Sequence, residues 1–441
     1  MLPHLAIEVL QEIGGRLPNA DQKNLRAVCR ELNIAIDPLF YTLFVLRGEK
    51  IRQECGLEML ARLAAGNIGV VVSLAMLRGE GMSPKWWPVT MEVPHLLVKA
   101  LCAMQNIRTV VWTIRTTDPD WIKEAVCDAM NTLPHLSNLQ LKMDNYCPLS
   151  ALAPITQLRK LKIETSHWDS TDPVHKVEVN QLIGRAHGLR SLDLTGHYAW
   201  SSAWTMLRAT LLRPNPETQI HLRELTAGTI SADLLAYLAS YSGLQRLTFP
   251  LNGVEIPHDG LADKFFGEVL TQHAKSLVEL DCPAYQDGMW SFRREVGDAV
   301  LQLKNLERLH LSVNSGDIHE DVEPGGEYCY ITSDTAALLP KLRLLRISNA
   351  QARFYRRANP IVVAIQDFTS HIESRAVVCT KNIVYALPGE KPDPSLYWAL
   401  APAISDEGER SSVSVYRRLA ADCELVRSVT DEGMRFAPEE D

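Results

Sequence analysis

One short pattern of apolar residues recurs along most of the chain and constrains the fold more strongly than any other feature. The pattern is L-x-x-L-x-L, and leucine or another apolar residue occupies its first, fourth and sixth positions, which we call the frame positions. Its recurrence predicts a repeat architecture. The ten copies are Val71/Leu74/Met76, Ile107/Val110/Trp112, Leu136/Leu139/Leu141, Leu158/Leu161/Ile163, Leu189/Leu192/Leu194, Leu222/Leu225/Ala227, Leu244/Leu247/Phe249, Leu277/Leu280/Cys282, Leu306/Leu309/Leu311 and Leu342/Leu345/Ile347.

Helix-like stretches separate the copies, so each unit is predicted to be a short strand followed by a returning helix. A unit of this kind cannot bury its apolar strand face alone, and neighbouring units therefore stack. We expect the frame positions to form one continuous core in an α/β fold. The predicted helical stretches are 121–131, 232–241, 264–273, 292–301 and 335–339.

The repeated unit resembles a leucine-rich repeat, and residues 49–350 resemble an irregular leucine-rich-repeat solenoid, or horseshoe. The family often places asparagine three residues after the last frame position. Only Asn252 and Asn314 hold that place here, whereas Asp144, Ser166 and His197 occupy it in other copies. The resemblance therefore implies an irregular horseshoe.

The first fifty residues predict three short helices. The first has apolar residues every four positions, which is typical of a helix with one apolar face. Asp37 and Pro38 are typical of the start of a helix and predict the third one, whose apolar residues are Leu39, Phe40, Leu43 and Phe44. Helices this short bury little surface, and we expect them to need a partner. The first two helices carry Leu5, Ile7, Val9, Leu10, Ile13 and Leu17, and Leu25, Val28, Cys29 and Leu32, respectively.

Residues 1–48 resemble an F-box of the kind abundant in fungi. The match departs from the usual pattern at Ala6, where proline is common. The resemblance implies that this domain binds the Skp-type adaptor and, through it, the cullin of a Skp-cullin-F-box ubiquitin ligase. An alternative is that the helices only cap the domain that follows. The adaptor-binding residues implied are Leu5, Ile7, Val9, Leu10, Ile13, Leu17, Pro18, Leu25, Val28, Cys29, Leu32, Pro38 and Leu39.

The x positions of the frame should lie on the face opposite the core, because successive strand side chains alternate between faces. Along the chain this face changes from basic to acidic, and such a face can orient a partner. Aromatic residues follow the strands at Tyr146, His167, Trp168, His197, Tyr198, Trp200 and Tyr285. The alternative is a solvated face with loop aromatics packed among themselves. The predicted target-binding residues are Lys142, Lys160, Lys162, Asp193, Glu224, Arg246, Asp281, His310, Arg346, Trp168 and Tyr198.

Composition argues against several other functions. The net charge of −8 offers nucleic acid and anionic membranes little attraction. The Arg353–Arg357 cluster mixes cations and aromatic rings and is the one feature typical of nucleic-acid binding; we interpret it as the polar edge of a terminal cap. The nine cysteines include no C-x-x-C pair, which favours reduced thiols in the cytoplasm or nucleus. We also expect no secretory signal and no membrane span.

Catalytic motifs with a known mechanism are missing from the sequence. Asp169, Asp172 and His175 have the spacing of a metal site but flank Pro173 in a predicted loop. We expect no metal and no cofactor, and an enzyme is the least favoured function. A turnover assay abolished by mutating those three residues would revive it.

The remaining residues, 351–441, are predicted to be a C-terminal cap ending in an acidic tail. Elements are expected at 361–368 and 376–387, and a helix at 412–426. Taken together, the resemblances imply a non-catalytic substrate-recognition subunit of a ubiquitin ligase, with an unknown target protein. The alternative is a ligase-independent interaction scaffold or a regulator of small GTPases, since a fold does not fix a function.

Overall fold

The chain forms two compact units, Met1–Ile220 and His221–Asp441. The domain boundaries predicted after residues 48 and 350 stay predictions. The computed structural model describes residues 6–17, 19–32, 35–36, 43–47, 58, 60–61, 63–65, 73–77, 92–115, 118–143, 149–152, 154–165, 173–196, 200–250, 259–284, 288–313, 335, 338–349, 384–387, 396–404, 410–419 and 423.

The first unit begins with two short helices, α1 (Ile7–Gly15) and α2 (Asn19–Arg26). Leu10, Leu32 and Ala35 form a small core, and Leu25 and Cys29 pack against it. These are the first two helices expected from the sequence. The start of the third, at Asp37 and Pro38, lies outside the described residues.

Leu43 and Phe44, which the sequence assigned to the third helix, lie instead in a strand, β1 (Leu43–Arg47). β1 pairs in parallel with β2 (Ser73–Leu77), so that Phe44 lies opposite Leu74 and Leu46 opposite Met76. Tyr41, Phe44 and Leu46 repeat the spacing of the frame positions. The helical prediction for Leu43 and Phe44 was therefore wrong, because an eleventh copy of the pattern with only one leucine was overlooked.

Four more strands continue the parallel sheet of the first unit in chain order. Parallel neighbours need a crossover connection. Helices lie between β2 and β3, between β3 and β4, and between β5 and β6. The strands are β3 (Thr109–Ile114), β4 (Asn138–Met143), β5 (Lys160–Thr165) and β6 (Ser191–Gly196). The helices are α3 (Glu92–Ala103), α4 (Asp120–Asn131), α5 (Pro173–Arg185) and α6 (Ser201–Leu211).

The uneven spacing of the copies has a structural cause. Between β4 and β5 the chain returns through a single turn of 3-10 helix, Leu149–Leu152, where the neighbouring connections use full α-helices. This is one of the two shortest steps between copies. Variation in repeat length is thus taken up in the returning segment, whereas the strands keep a common register.

The second unit continues with the same kind of parallel pairing. Its parallel strands are β7 (Glu224–Ala227), β8 (Arg246–Thr248), β9 (Glu279–Cys282), β10 (Arg308–Val313), β11 (Leu344–Asn349) and β12 (Val384–Leu387). Its helices are α7 (Ala232–Leu238), α8 (Asp259–Lys264), α9 (Leu270–Gln272) and α10 (Arg294–Val300), with a π-helical segment, Phe265–Val269, joining α8 to α9.

The end of the chain departs from the parallel series. β13 (Leu396–Ile404) pairs antiparallel with β12 and with β14 (Arg410–Leu419). The helix predicted at 412–426 was therefore wrong over residues 412–419. Val413, Val415 and Tyr416 favour a strand, and pairing with β13 satisfies its backbone. Of the element expected at 376–387, residues 384–387 form β12 and the rest lies outside the described residues, as does 361–368.

The frame positions form the core, as the sequence predicts. From Ile107 to Ile347, all nine copies place their three frame side chains where at most 3% of the surface is exposed. Buried and half-exposed residues alternate along β3, β4 and β5. Within the described residues, no helix combines the length and the apolar composition that crossing a membrane requires. The fold is therefore α/β, with parallel strands and returning helices.

A buried histidine ties together three backbone segments of the second unit. His273 is only 1% exposed. Its Nε2–H donates to the Leu238 carbonyl oxygen at 3.0 Å, and its Nδ1 accepts from the Leu244 N–H at 3.4 Å. Because Nδ1 accepts, the ring is neutral. Burial lowers the pKa of His273 from 6.5 to about 4, although the hydrogen bond to Leu238 opposes this shift.

This histidine predicts a loss of stability in mild acid. The unfolded chain takes up a proton on the ring near pH 6.5, and the folded chain only near pH 4. The contribution of neutral His273 to the free energy of unfolding is complete above about pH 6.5 and declines by about 3 kcal/mol as the pH falls to about 4. Urea denaturation across this pH range should show that His273→Gln flattens the profile. Substitution of the exposed His135 by Gln should leave it unchanged.

Two glycines with positive φ provide a second test of the packing. Gly196 and Gly243 have φ of 107° and 109°. A Cβ on Gly196 would collide with the hydroxyl and carbonyl oxygens of Thr165, which lies opposite in the sheet, whereas a Cβ on Gly243 would have no atom within 4 Å.

We expect Gly243→Ala to cost about 1 to 2 kcal/mol, from backbone strain alone. Gly196→Ala should cost about 1 to 3 kcal/mol more, because the methyl group overpacks the sheet. Chemical denaturation followed by circular dichroism measures both costs. Equal losses in the two variants would contradict the close approach at Thr165.

Candidate functional site

The residues implied in adaptor binding fall into separate structural groups. Leu10 and Leu32 are buried in the core of the N-terminal helices, and Leu25 and Cys29 pack against them. Leu17 is half-buried. Ile7, Val9, Ile13 and Val28 remain 40 to 69% exposed, and we call these four the exposed head residues. Leu5, Pro18, Pro38 and Leu39 lie outside the described residues.

The geometry of α1 explains why apolar residues are left in water. Leu10 and Gly14 lie one turn apart and are buried. Val9 and Ile13 share one flank of this buried stripe, whereas Ile7 lies on the other flank. The Gln22 side chain of α2 donates to the carbonyl oxygens of Gly14 and Leu17 at 3.1 and 3.0 Å. The two helices thus hold together through a narrow contact, and the flanking side chains stay uncovered.

In the first unit, the predicted basic cluster is neutralised across the strands. Lys142 of β4 pairs with Glu164 of β5 at 3.2 Å, and Lys162 of β5 pairs with Asp193 of β6 at 3.3 Å. Burial raises the pKa of the Asp193 carboxyl, and the positive charge of Lys162 opposes that rise. Lys160 lies in register between Asn138 and Ser191. The lysines therefore do not form a block of unpaired positive charge.

In the second unit, four charged residues of alternating sign occupy one register row. Glu224, Arg246, Glu279 and Arg308 lie on the consecutive strands β7 to β10. The Arg246 guanidinium is 3.9 Å from Glu224 and 3.7 Å from Glu279, and Arg308 Nη2 is 2.5 Å from Glu279 Oε2. Opposite charges side by side stabilise neighbouring strands. Glu279 holds the centre of this charged row.

A second polar row in the same unit carries an imidazole. His310 Nδ1 is 2.7 Å from Asp281 Oδ1, and His310 Nε2 is 3.1 Å from Ser348 Oγ. Ser312 Oγ is 2.8 Å from Ser348 Oγ. Arg346 lies opposite His310 in register and is exposed. Of the predicted target-binding residues, Asp281, His310 and Arg346 thus lie together, on β9, β10 and β11.

The aromatic residues predicted to anchor a target protein are mostly not described, and Trp200, which is described, is buried. Trp168 and Tyr198 lie outside the described residues, as do Tyr146, His167, His197 and Tyr285. Trp200, also expected at a loop surface, is only 2% exposed. It directly precedes α6, where Trp204 is buried as well. The prediction for Trp200 was therefore wrong, because this indole ring packs into the core.

The metal and redox expectations concern residues that are only partly described. Asp169 and Asp172 lie outside the described part of the chain, and so does the Arg353–Arg357 cluster. His175 lies in α5, but its side chain is among those not described. Where side chains are described, no three His, Cys, Asp or Glu residues are grouped as metal ligands. Cys29, Cys102, Cys127, Cys282 and Cys423 are free thiols.

Three residues of these networks, Arg308, Ser312 and Ser348, were given no role by sequence reasoning. The signal was available, because residues at equivalent frame offsets in successive copies become neighbours once the strands pair in register. Glu279 and Arg308 share one offset, and Asp281, His310 and Arg346 share another.

The sequence matches no protein-family model, and no curated protein is significantly similar to it.

The charged row provides a direct test of the surface. Glu279→Gln should lower the free energy of unfolding by about 1 to 3 kcal/mol, because two guanidinium groups lose the carboxylate between them. The more exposed pair between Lys142 and Glu164 offers a control, and Glu164→Gln should cost less than about 1 kcal/mol. Urea denaturation at low salt measures both, and a smaller loss for Glu279→Gln than for Glu164→Gln would contradict the central role of Glu279.

Proposed function

We propose that this protein is a substrate-recognition subunit of a Skp-cullin-F-box ubiquitin ligase, acting in the cytoplasm or nucleus. In this proposal residues 1–48 form an F-box that binds the Skp-type adaptor. Residues 49–350 form an irregular leucine-rich-repeat solenoid that binds the target protein, and residues 351–441 cap it. The observation that carries the proposal is the exposure of the four exposed head residues.

Exposed apolar side chains of this size support a binding role for the N-terminal helices. Isolated apolar residues are common on protein surfaces, but several large ones on one small element favour an interaction site. Here three of them lie on α1 and the fourth, Val28, follows α2. Covering them with an adaptor would remove from water the apolar surface that this small helical core leaves uncovered.

The division of the F-box-like residues also fits the proposal. Leu10, Leu25, Cys29 and Leu32 hold the two helices together. Their role in adaptor binding is then to fix the helices rather than to touch the partner. The direct contacts would come from the exposed head residues, which lie beside that core on α1 and after α2.

The body of the chain supplies features that suit a target-binding surface. Parallel strands in both units present outward rows of half-exposed polar side chains above a fully buried core. Most charges in these rows are paired with a neighbour, so they offer a patterned surface of low net charge. Arg346 at β11 is an exposed cation on this surface. Complementary charge patterns give specificity more than affinity.

The proposed mechanism is proximity. The F-box would hold the ligase and the repeat surface would hold the target. A lysine of the target would then stay near the conjugating enzyme that carries ubiquitin. Holding two reactants together raises their effective concentration and needs no catalytic group from the receptor.

Aspartate substitutions in the head test the adaptor contact. Val28→Asp and Ile13→Asp should each abolish co-purification of the Skp-type adaptor and cullin, because a charge would be buried in the contact. Both side chains are solvent-exposed in the free protein, so the fold should be retained, which circular dichroism checks. Val177→Asp in α5 is the matched control, since Val177 is 53% exposed and lies outside residues 1–48.

The control should co-purify with adaptor and cullin like the unmodified chain. Undiminished adaptor binding by both head variants would refute the F-box proposal. If the full chain retains its other protein partners without adaptor or cullin, the ligase-independent scaffold becomes the better interpretation.

A further inference from the structure

A chain of hydrogen bonds on β9, β10 and β11 has an arrangement that the ligase role does not require. Asp281 and His310 lie opposite each other in register, and Ser312 lies opposite Ser348 one row further along the strands. His310 contacts both rows, through Nδ1 to Asp281 at 2.7 Å and through Nε2 to Ser348 at 3.1 Å. Four side chains from three strands therefore form one connected network.

The direction of each hydrogen bond follows from the groups involved. The Asp281 carboxylate only accepts, so His310 Nδ1 carries the proton. In the neutral ring Nε2 is then an acceptor, and the Ser348 hydroxyl donates to it. With the ring neutral, the one hydroxyl hydrogen of Ser348 goes to Nε2, and Ser312 then donates the bond at 2.8 Å between the two serines. The network runs from Ser312 through Ser348 and His310 to Asp281.

We propose that Ser348 is an activated nucleophile that takes up acyl groups from small carboxylic esters and thioesters. A nucleophilic hydroxyl needs a base within hydrogen-bond reach, and that base needs a third group to fix its tautomer. Ser348, His310 and Asp281 meet both conditions at the observed distances. The side chain of His310 is 12% exposed, that of Asp281 is 34% exposed, and Ser348 is half-buried, so the network lies partly open to solvent.

The reaction balances with groups that are present and the substrate alone. Ser348 Oγ attacks the carbonyl carbon while its proton passes to His310 Nε2. The leaving alcohol or thiol then takes that proton as its bond to the acyl carbon breaks, and an acyl ester of Ser348 remains. Water deprotonated by His310 hydrolyses this ester and restores the serine.

Two neighbouring residues suit this chemistry. Ser312 donates to Ser348 Oγ and holds the hydroxyl in place beside the base. Arg346 is exposed, lies opposite His310 in register and precedes Ser348 by two residues on the same outward face. Its positive charge stabilises the negative oxygen that develops during attack. Asp281 acts through His310 and is a positioning residue.

A fluorophosphonate probe tests the proposal on the full chain. Ser348 Oγ should displace fluoride from phosphorus and pass its proton to His310, which leaves a stable adduct on Ser348 that intact-mass and peptide mass spectrometry detect. Ser348→Ala and His310→Gln should abolish labelling. Asp281→Asn should slow labelling by a factor of about 10² to 10⁴ and change its dependence on pH.

Ser191→Ala provides the matched control, because Ser191 occupies an outward position of β6 and should leave labelling of Ser348 unchanged. Circular dichroism confirms that each variant is folded. An adduct at Ser348 that depends on His310 supports the proposal. It is overturned if the folded, unmodified chain gives no adduct, or if His310→Gln is labelled as fast as the unmodified chain. Neither result bears on adaptor binding, so the ligase proposal is tested separately.

Discussion

Burial of the frame side chains is the interaction on which the rest of the structure depends. From Ile107 to Ile347, each copy of the pattern contributes three side chains that are almost completely removed from water. Burying one aliphatic side chain of this size contributes about 1.5 to 3 kcal/mol, and no single strand has a partner for its apolar face within its own repeat. The strands are therefore held side by side by a shared interior, and each returning helix closes that interior from one side.

The outward face follows from the same constraint. Because the frame positions lie in register, the residues between them also lie in register and form rows across neighbouring strands. A row brings together groups that are about thirty residues apart in sequence, such as Asp281 and His310. Opposite charges in a row neutralise each other, so the face is patterned without being strongly charged. The charged row and the imidazole network are both products of strand pairing rather than of local sequence.

Much of this fold could be predicted from the sequence, because the spacing of the apolar residues within each copy stays constant while the distance between copies varies. It identified the ten strands from Val71 to Ile347, the core positions of the nine copies from Ile107 onward, and four of the eight returning helices, α4, α7, α9 and α10. It placed Pro173 in a loop, whereas Pro173 is the first residue of α5. It missed β1, whose frame residues are Tyr41, Phe44 and Leu46 and include one leucine. It also missed the antiparallel pairing of β13 and β14, since the repeated pattern ends before them and does not predict a change in strand direction.

The candidate sites were less predictable than the fold. The set of F-box-like residues did not separate those that build the helical core from those that face solvent. Apolar residues three or four positions apart can lie in the buried stripe of a helix or on either side of it, and the spacing alone does not distinguish these cases. The polar rows required knowledge of which copy pairs with which. Trp200 shows the opposite error, since this aromatic residue, predicted at a loop surface, is buried in the core just before α6.

The alternation of core and outward side chains determines where such a chain tolerates insertions and deletions. One residue added between Leu161 and Lys162 of β5 would turn Ile163 toward water and Lys162 toward the interior, because strand side chains alternate between faces. The same residue added to the turn at Leu149–Leu152 would only lengthen a connection, at little entropic cost. Variation in length among such repeats is therefore compatible with a constant interior, provided that it stays outside the strands.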